Sequence, residues 1–351
     1  MIRLCNWRGG ENNAWTNNDI TNYYLTVPKP NVETAFWLES DRMLELAFSE
    51  QSLEIQRGVV MEEFKQRCLN QPYGDVGHLF RPLAFRVHPY RWPTIGKELS
   101  HIEQATLDEV KSFFYRFYAP NNAVLAVTGN ISWDETVRLT EKWFAPIPRR
   151  DVPARQLPQE PEQTRERRLT VERNVPLDAL FMGYHMCSRE SADYYAFDIL
   201  SDILSNGRSS RLNRRLVQEQ NLFSGIDAYI SGTRDAGLLQ ISGKPAAGVS
   251  LEQAEAAVRK ELEELRQSPA GEQELEKVKN KFESTQIFGN INYLNVATNL
   301  AWFELTGKAE DIDLEVERYR SVTTEQLHTV AQRTFCENNT VVLYYKSDKQ
   351  H

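Results

Sequence analysis

Six histidines are the first residues to question for chemistry: His78, His88, His101, His185, His328 and His351. Imidazole is the commonest metal ligand and a ready acid or base near neutral pH. Their spacing argues against a local metal motif, because no two of them lie three or four positions apart. The cysteines, Cys5, Cys68, Cys187 and Cys336, are widely scattered and form no C-x-x-C pair, so zinc-finger and thioredoxin readings fail. They read as buried free thiols. Adjacent carboxylates, Glu62 and Glu63, stand in "QRGVVMEEFKQR". On composition alone a Glu on an amphipathic helix is a solvated surface residue. A last candidate is "GGENNAWTNNDITNYY" at 9–24, where asparagines, a Trp and a Tyr pair precede any long helix signal. Such a stretch reads as a surface built to touch something.

The elements that must position these residues fall into two halves. The segment "IPRRDVPARQLPQEPEQTRERR" carries prolines and charges without apolar periodicity, which is a linker composition. It divides the chain into a first domain over 1–146, a linker over 147–168 and a second domain over 169–351. Before it lies "TLDEVKSFFYRFYAPNNAVLAVTGN" at 106–130, and near the end lies "TTEQLHTVAQRTFCENNTVVLYYKS" at 323–347. An offset of 323 − 106 = 217 superposes them. Thr106 then meets Thr323, Arg116 meets Arg333 and Asn121-Asn122 meets Asn338-Asn339. Each copy reads as an amphipathic helix, an Asn-Asn turn and a β-branched strand, which points to an internal duplication.

Coarsely, the first half predicts a strand at 12–27, helices at 31–46 and 50–68, and a loop region at 70–105. A helix at 106–117, a strand at 122–129 and a helix at 132–144 follow. The second half predicts a strand at 179–186, helices at 192–207 and 209–220, and "LFSGIDAYISG" as the counterpart of "GGENNAWTNND". About forty residues of the second half, a strand and a helix or more, have no equivalent ahead of Met1. The expected fold is α+β: two duplicated two-layer domains with mainly antiparallel sheets, the first lacking its front.

Composition adds limits. The chain has 351 residues, 41% hydrophobic and 26% charged, with net charge −8. That balance does not favour nucleic acid or anionic lipid. No apolar run approaches a membrane span. Met1 to Trp7 has no signal-peptide core. A native start would thus place the chain in the cytoplasm, while a secretion signal would have to lie in a missing front.

Taken together, "GGENNAWTNNDITNYYLTVP", "TAFWLESDRMLEL", "QRGVVMEEFKQR" and "HPYRWPTIGKELSHIEQATLDEVKSFFYRFYAPNNAVLAVTGNI" resemble the pitrilysin/insulinase family of zinc metallopeptidases. The resemblance covers nearly the whole chain and is weaker after the linker. It implies two repeated α+β domains and zinc-dependent peptide hydrolysis. In that family zinc is held by H-x-x-E-H and a glutamate on a later helix, and the motif's own Glu serves as general base. The later ligand carries over to Glu63, and a supporting carboxylate falls on Gln56. H-x-x-E-H is absent from this sequence, which again points to a missing front. His88, in "HPY", has a structural role by resemblance.

The resemblance further implies that Asn13, Ala14 and Trp15, with Thr16 behind, lie on an edge strand that pairs with peptide substrate. The family's substrate-binding Arg and Tyr fall on Val217 and Ser224, which cannot replace them. The chain therefore reads as the zinc-side subunit of a metalloendopeptidase, inactive alone, in a homo- or hetero-oligomer with a subunit carrying the Arg–Tyr pair. The alternative is a non-catalytic scaffold or partner subunit. Neither nucleic-acid binding nor a membrane span is expected.

Overall fold

The structure, a computed structural model, describes residues 9–348, so Cys5 and His351 lie outside it. Helix and sheet are mixed along the chain. Two compact units form, and the chain passes between them repeatedly. One unit comprises the residues up to Arg67, Thr94–Gln156 and Phe288–Ile312. The other comprises Cys68–Pro93, Leu157–Ile287 and the residues from Asp313 onward.

The first unit opens with a hairpin, β1 (Glu11–Thr16) and β2 (Thr21–Thr26), where a single strand over 12–27 is expected. The chain reverses at Asn17, whose side-chain oxygen accepts from the N–H groups of Asp19 and Ile20 at 2.8 and 2.9 Å. This is the Asx-type turn that Asn favours. Helices α1 (Val32–Leu44) and α2 (Glu50–Phe64) follow. Ser49 and Ser52 cap α2 reciprocally, satisfying backbone donors that no intrahelical carbonyl reaches. A π-helical turn, Lys65–Leu69, continues α2.

The expected loop at 70–105 holds helix α3 (Val76–Ala84), which belongs to the second unit, and α4 (Leu99–Gln104), which belongs to the first. Pro82 disguises α3 in the sequence. The helix persists because Phe80 and Ala84 are buried in an apolar cluster with Val341 and Leu343. Helices α5 (Leu107–Phe117) and α6 (Trp133–Phe144) complete the run. Between them the expected strand at 122–129 does not form, and residues 123–128 carry no regular structure.

The second unit is built on β3 (Arg167–Arg173), β4 (Ala179–His185), β5 (Phe223–Ile230), β6 (Leu238–Pro245) and β7 (Thr340–Ser347). These make a five-stranded sheet in the order β3-β7-β4-β6-β5. β3 pairs with β7 in parallel, while the other pairings are antiparallel, so the sheet is mixed. Around it lie α7 (Tyr194–Ser205), α8 (Leu251–Gln267), α9 (Glu272–Gly289), α11 (Glu315–Ser321) and α12 (Thr324–Thr334). Helix α10 (Tyr293–Thr306) belongs to the first unit.

β7 reads as a nearly continuous apolar run because both of its faces are covered. Val342 and Tyr344 join one cluster with residues of α7, α8 and α12. Val341, Leu343 and Tyr345 join the other with residues of α3. The two-layer expectation therefore understates this unit, whose sheet carries helices on both faces. Gly183 on β4 permits the close approach of α3. A Cβ there would fall 2.7 Å from Phe80 Cζ.

The helices compared in the sequence keep their offset: 324 − 107 = 217 and 334 − 117 = 217. Thr106 with Glu109 caps α5, and Thr323 with Gln326 caps α12. Asn122 donates to the Phe117 carbonyl at 2.8 Å, and Asn339 donates to the Thr334 carbonyl at 3.0 Å.

Candidate functional site

The β1–β2 hairpin fixes which backbone groups are free for a partner. Asn17 N–H donates to the Ile20 carbonyl at 3.0 Å. Pairing alternates along an antiparallel ladder. With the register Thr16↔Thr21, Trp15↔Asn22, Ala14↔Tyr23 and Asn13↔Tyr24, Asn13 and Trp15 face β2 through their backbones. Asn12, Ala14 and Thr16 turn theirs to the open edge. The Ala14 N–H donates instead to a local partner, Asn13 Oδ1, at 2.8 Å. All of Asn13, Ala14 and Trp15 are exposed.

Beneath the hairpin, the Tyr23 and Tyr118 hydroxyls lie 2.8 Å apart, and the Arg42 guanidinium sits 3.5 Å above the Tyr23 ring centre. Burial, followed by the Tyr118 hydroxyl, pushes the Tyr23 phenol up to about 12, so it stays protonated. These supports were invisible in the sequence, because Tyr23, Arg42 and Tyr118 are far apart along the chain.

Glu63 lies on the last turn of α2, and Gln56 lies two turns before it on the same face. Gln56 is exposed. Glu63 Oε1 takes Arg67 Nη2 at 2.9 Å, an i,i+4 ion pair. Sequence reasoning did not weigh Arg67, although its spacing was readable. Glu62 faces away and pairs with Lys65 at 3.0 Å.

A catalytic zinc site needs three protein ligands and an open position. Among the described residues, no three His, Cys, Asp or Glu side chains come together to hold a metal. The residues present therefore do not fit the zinc that the resemblance implies. His88 is buried in the second unit, its Nε2 2.9 Å from Asp235 Oδ2. Its Nδ1 accepts from the Tyr90 N–H at 3.2 Å, so Nε2 carries the proton and donates to Asp235. Three successive N–H groups, of Arg86, Val87 and His88, donate to the Glu160 carboxylate. Burial pushes that carboxyl up, but these donors hold it below its ordinary value. This loop is a structural fastening.

Val217 is half-buried against the apolar core on the π-helical segment Asn213–Glu219. Ser224 on β5 donates to the Lys244 carbonyl at 3.1 Å. Neither presents a cation or a phenol. Cys68 is buried, and Cys187 and Cys336 are partly buried; none of the three is in a disulfide.

The family model described as the peptidase M16 inactive domain matches residues 104–282. The chain is 30% identical over 274 residues to the zinc protease PqqE of Helicobacter pylori, covering 77% of this chain and 62% of that relative. It thus spans less than two thirds of that protein. It is 24% identical over 341 residues to the uncharacterized zinc protease YmxG of Bacillus subtilis, covering 95% of this chain and 80% of that one. The crystal structure of a protease from Helicobacter pylori superposes with a TM-score of 0.91 at 25% identity, over 98% of this chain and 84% of that one. No helix among the described residues is long and apolar enough to cross a membrane.

Proposed function

Because the chain belongs to the M16, or pitrilysin/insulinase, family of peptidases, we propose that it is the peptide-holding part of a zinc-dependent endopeptidase and does not cleave alone. The observation that carries this reading is the open edge of β1. Its outward groups, on Asn12, Ala14 and Thr16, are backbone groups that pair with an extended peptide of any sequence. Asn13, Ala14 and Trp15 form the contact surface. Glu63 stands at the family's later metal-ligand position, and Gln56 stands at the supporting position without charge.

Replacement of the family's Arg and Tyr by Val217 and Ser224 favours divided labour. The partner in that assembly carries the Arg–Tyr pair. A non-catalytic scaffold role is the second reading, supported by the same two residues and by the Glu63–Arg67 ion pair.

The reading also includes duplication, with halves at 1–146 and 169–351 joined by 147–168. The matched helices, caps and Asn bonds at the 217 offset support it. So does the chain path. The segment of the first half that groups with the other unit is 68–93, and 68 + 217 = 285 with 93 + 217 = 310. The segment that makes the opposite passage is 288–312.

Ala14→Pro tests the edge. It removes an outward N–H that the hairpin ladder does not use, and proline is tolerated on edge strands. Binding of a fluorescent extended peptide should weaken about five- to tenfold, the worth of one hydrogen bond with its partner left unpaired. Unchanged binding would move the peptide site elsewhere.

A further inference from the structure

β1 and β5 each lead a hairpin, yet their outer edges are finished differently. The last ladder bond before the turn runs from Asn17 N–H to the Ile20 carbonyl in one and from Ser231 N–H to the Leu238 carbonyl in the other. Aligning on these bonds gives 231 − 17 = 214, which brings Asn13-Ala14-Trp15 onto Asp227-Ala228-Tyr229. Pairing alternates in both ladders, so Ala14 and Ala228 each turn their backbone groups away from the neighbouring strand. β5 ends the order β3-β7-β4-β6-β5, so the Ala228 groups lie on the edge of that sheet.

At Ala228 a side chain fills this edge. Ser205, the last residue of α7, accepts from the Ala228 N–H at 2.6 Å and donates to the Ala228 carbonyl at 3.0 Å. A hydroxyl carries one donor and two acceptor lone pairs. One oxygen therefore makes both bonds that a facing strand residue would make. Ser205 is buried, and its own carbonyl accepts from Asn213 Nδ2 and from the Gly207 N–H, each at 3.0 Å, which holds it in place. Ala14, in contrast, is exposed. Its N–H goes to Asn13 Oδ1 on its own strand, and among the described residues no side chain donates to its carbonyl.

We infer that β5 is a second peptide-pairing edge of the same kind as β1, closed by the Ser205 hydroxyl, so that the chain takes an extended peptide at β1 alone. The ligand class is an extended main chain of any sequence, since the edge offers only backbone groups. An open edge recruits strands indiscriminately, and covering it from a helix prevents that. α7 packs on β5 and supplies the cover. Without the hydroxyl, a buried N–H and a buried carbonyl lose their partners, a cost that an incoming strand relieves. The inference rests on the reading of β1 as a peptide edge and on the duplication, and its readout sits at a different residue.

The test is residue-resolved amide exchange of the full chain with an end-blocked, uncharged Thr-Val repeat peptide, a composition suited to strands. In the native chain the peptide should leave the Ala228 amide unchanged. In Ser205→Ala that amide should exchange at least about tenfold faster than in the native chain, and added peptide should slow it again. Ser205→Thr keeps a hydroxyl and should behave as the native chain does. Unchanged exchange across Thr340–Tyr345 checks that each variant is folded. Ser205→Cys, whose thiol is a weak donor and acceptor, replaces Ser205→Ala if that check fails. Slowing of the Ala228 amide by peptide in the native chain would overturn the closure. An Ala228 amide that is no faster in Ser205→Ala, or that peptide does not slow there, would overturn the second edge. The Ala14 amide reports on β1 separately: slowing at Ala228 in Ser205→Ala without slowing at Ala14 would contradict the β1 reading and leave the Ser205 closure standing.

Discussion

Purified and dialysed, this chain is expected to hold no stoichiometric zinc and to cleave no peptide in a chelator-sensitive way. The ligand count decides the first point. Three protein donors and an open position make a catalytic zinc site, and Glu63 is a single donor already paired with Arg67. Releasing it for a metal means giving up that ion pair without further ligands to share the charge. The second point follows from the missing general base, whose position the described residues do not fill. Typical enzymatic accelerations start at about a millionfold, so losing the reacting centre is the largest effect expected here. Elemental analysis and a quenched-peptide assay, each with and without chelator, read both. One tightly held zinc per chain, lost in Glu63→Gln, would contradict the ligand argument.

A second large effect concerns the scaffold. Glu255 on α8 is 5% exposed and sits between two arginines. Arg168 Nη1 and Nη2 each approach it at 2.7 Å, and Arg259 Nε at 2.7 Å. Tyr344 of β7 donates its hydroxyl to the same carboxylate. Helix α8 is thereby fastened to β3 and β7. Glu255→Ala removes the buried acceptor of Tyr344 and one of two carboxylates held by Arg168 and Arg259, which keep Glu166, and should cost about 1–3 kcal/mol. Burial pushes the Glu255 carboxyl up, but the donors outweigh it and hold it at about 2. A carboxyl depressed in the folded state stabilises fully above its unfolded value, about 4.3. The contribution is lost as pH falls toward about 2. Urea midpoints of the native chain and the variant should therefore differ most above pH 5 and converge on acidification. A difference that ignores pH would remove Glu255 as the charged fastener.

How much of this was legible in the sequence depended on range. Helices α5 and α12 were readable because apolar period and cap agree locally, Thr106 with Glu109 and Thr323 with Gln326. β7 was readable as a β-branched run. The 123–128 segment carries a comparable run and forms no strand, because strand propensity is realised only against a partner. Asn17 held the turn of the hairpin in plain view, within the polar run Asn17-Asn18-Asp19, yet the stretch was read as one strand. Pro82 hid α3, whose apolar stripe was present but outweighed by a helix breaker. The Glu63 position came from the resemblance, and its Arg67 partner was available from i,i+4 spacing alone. The exchange of segments between the units was not legible, because no local pattern reports which distant surface a segment covers.

The central claim is that β1 binds peptide through its open edge without the metal centre. Amide exchange of the chain with an extended, uncharged peptide in the presence of chelator tests it most directly. The account predicts that the Ala14 and Thr16 amides become protected, that the Asn13 and Trp15 amides, already in the β1–β2 ladder, change little, and that the peptide is recovered intact. Protection confined to Asn13 and Trp15, or none anywhere along Glu11–Thr16, would contradict it.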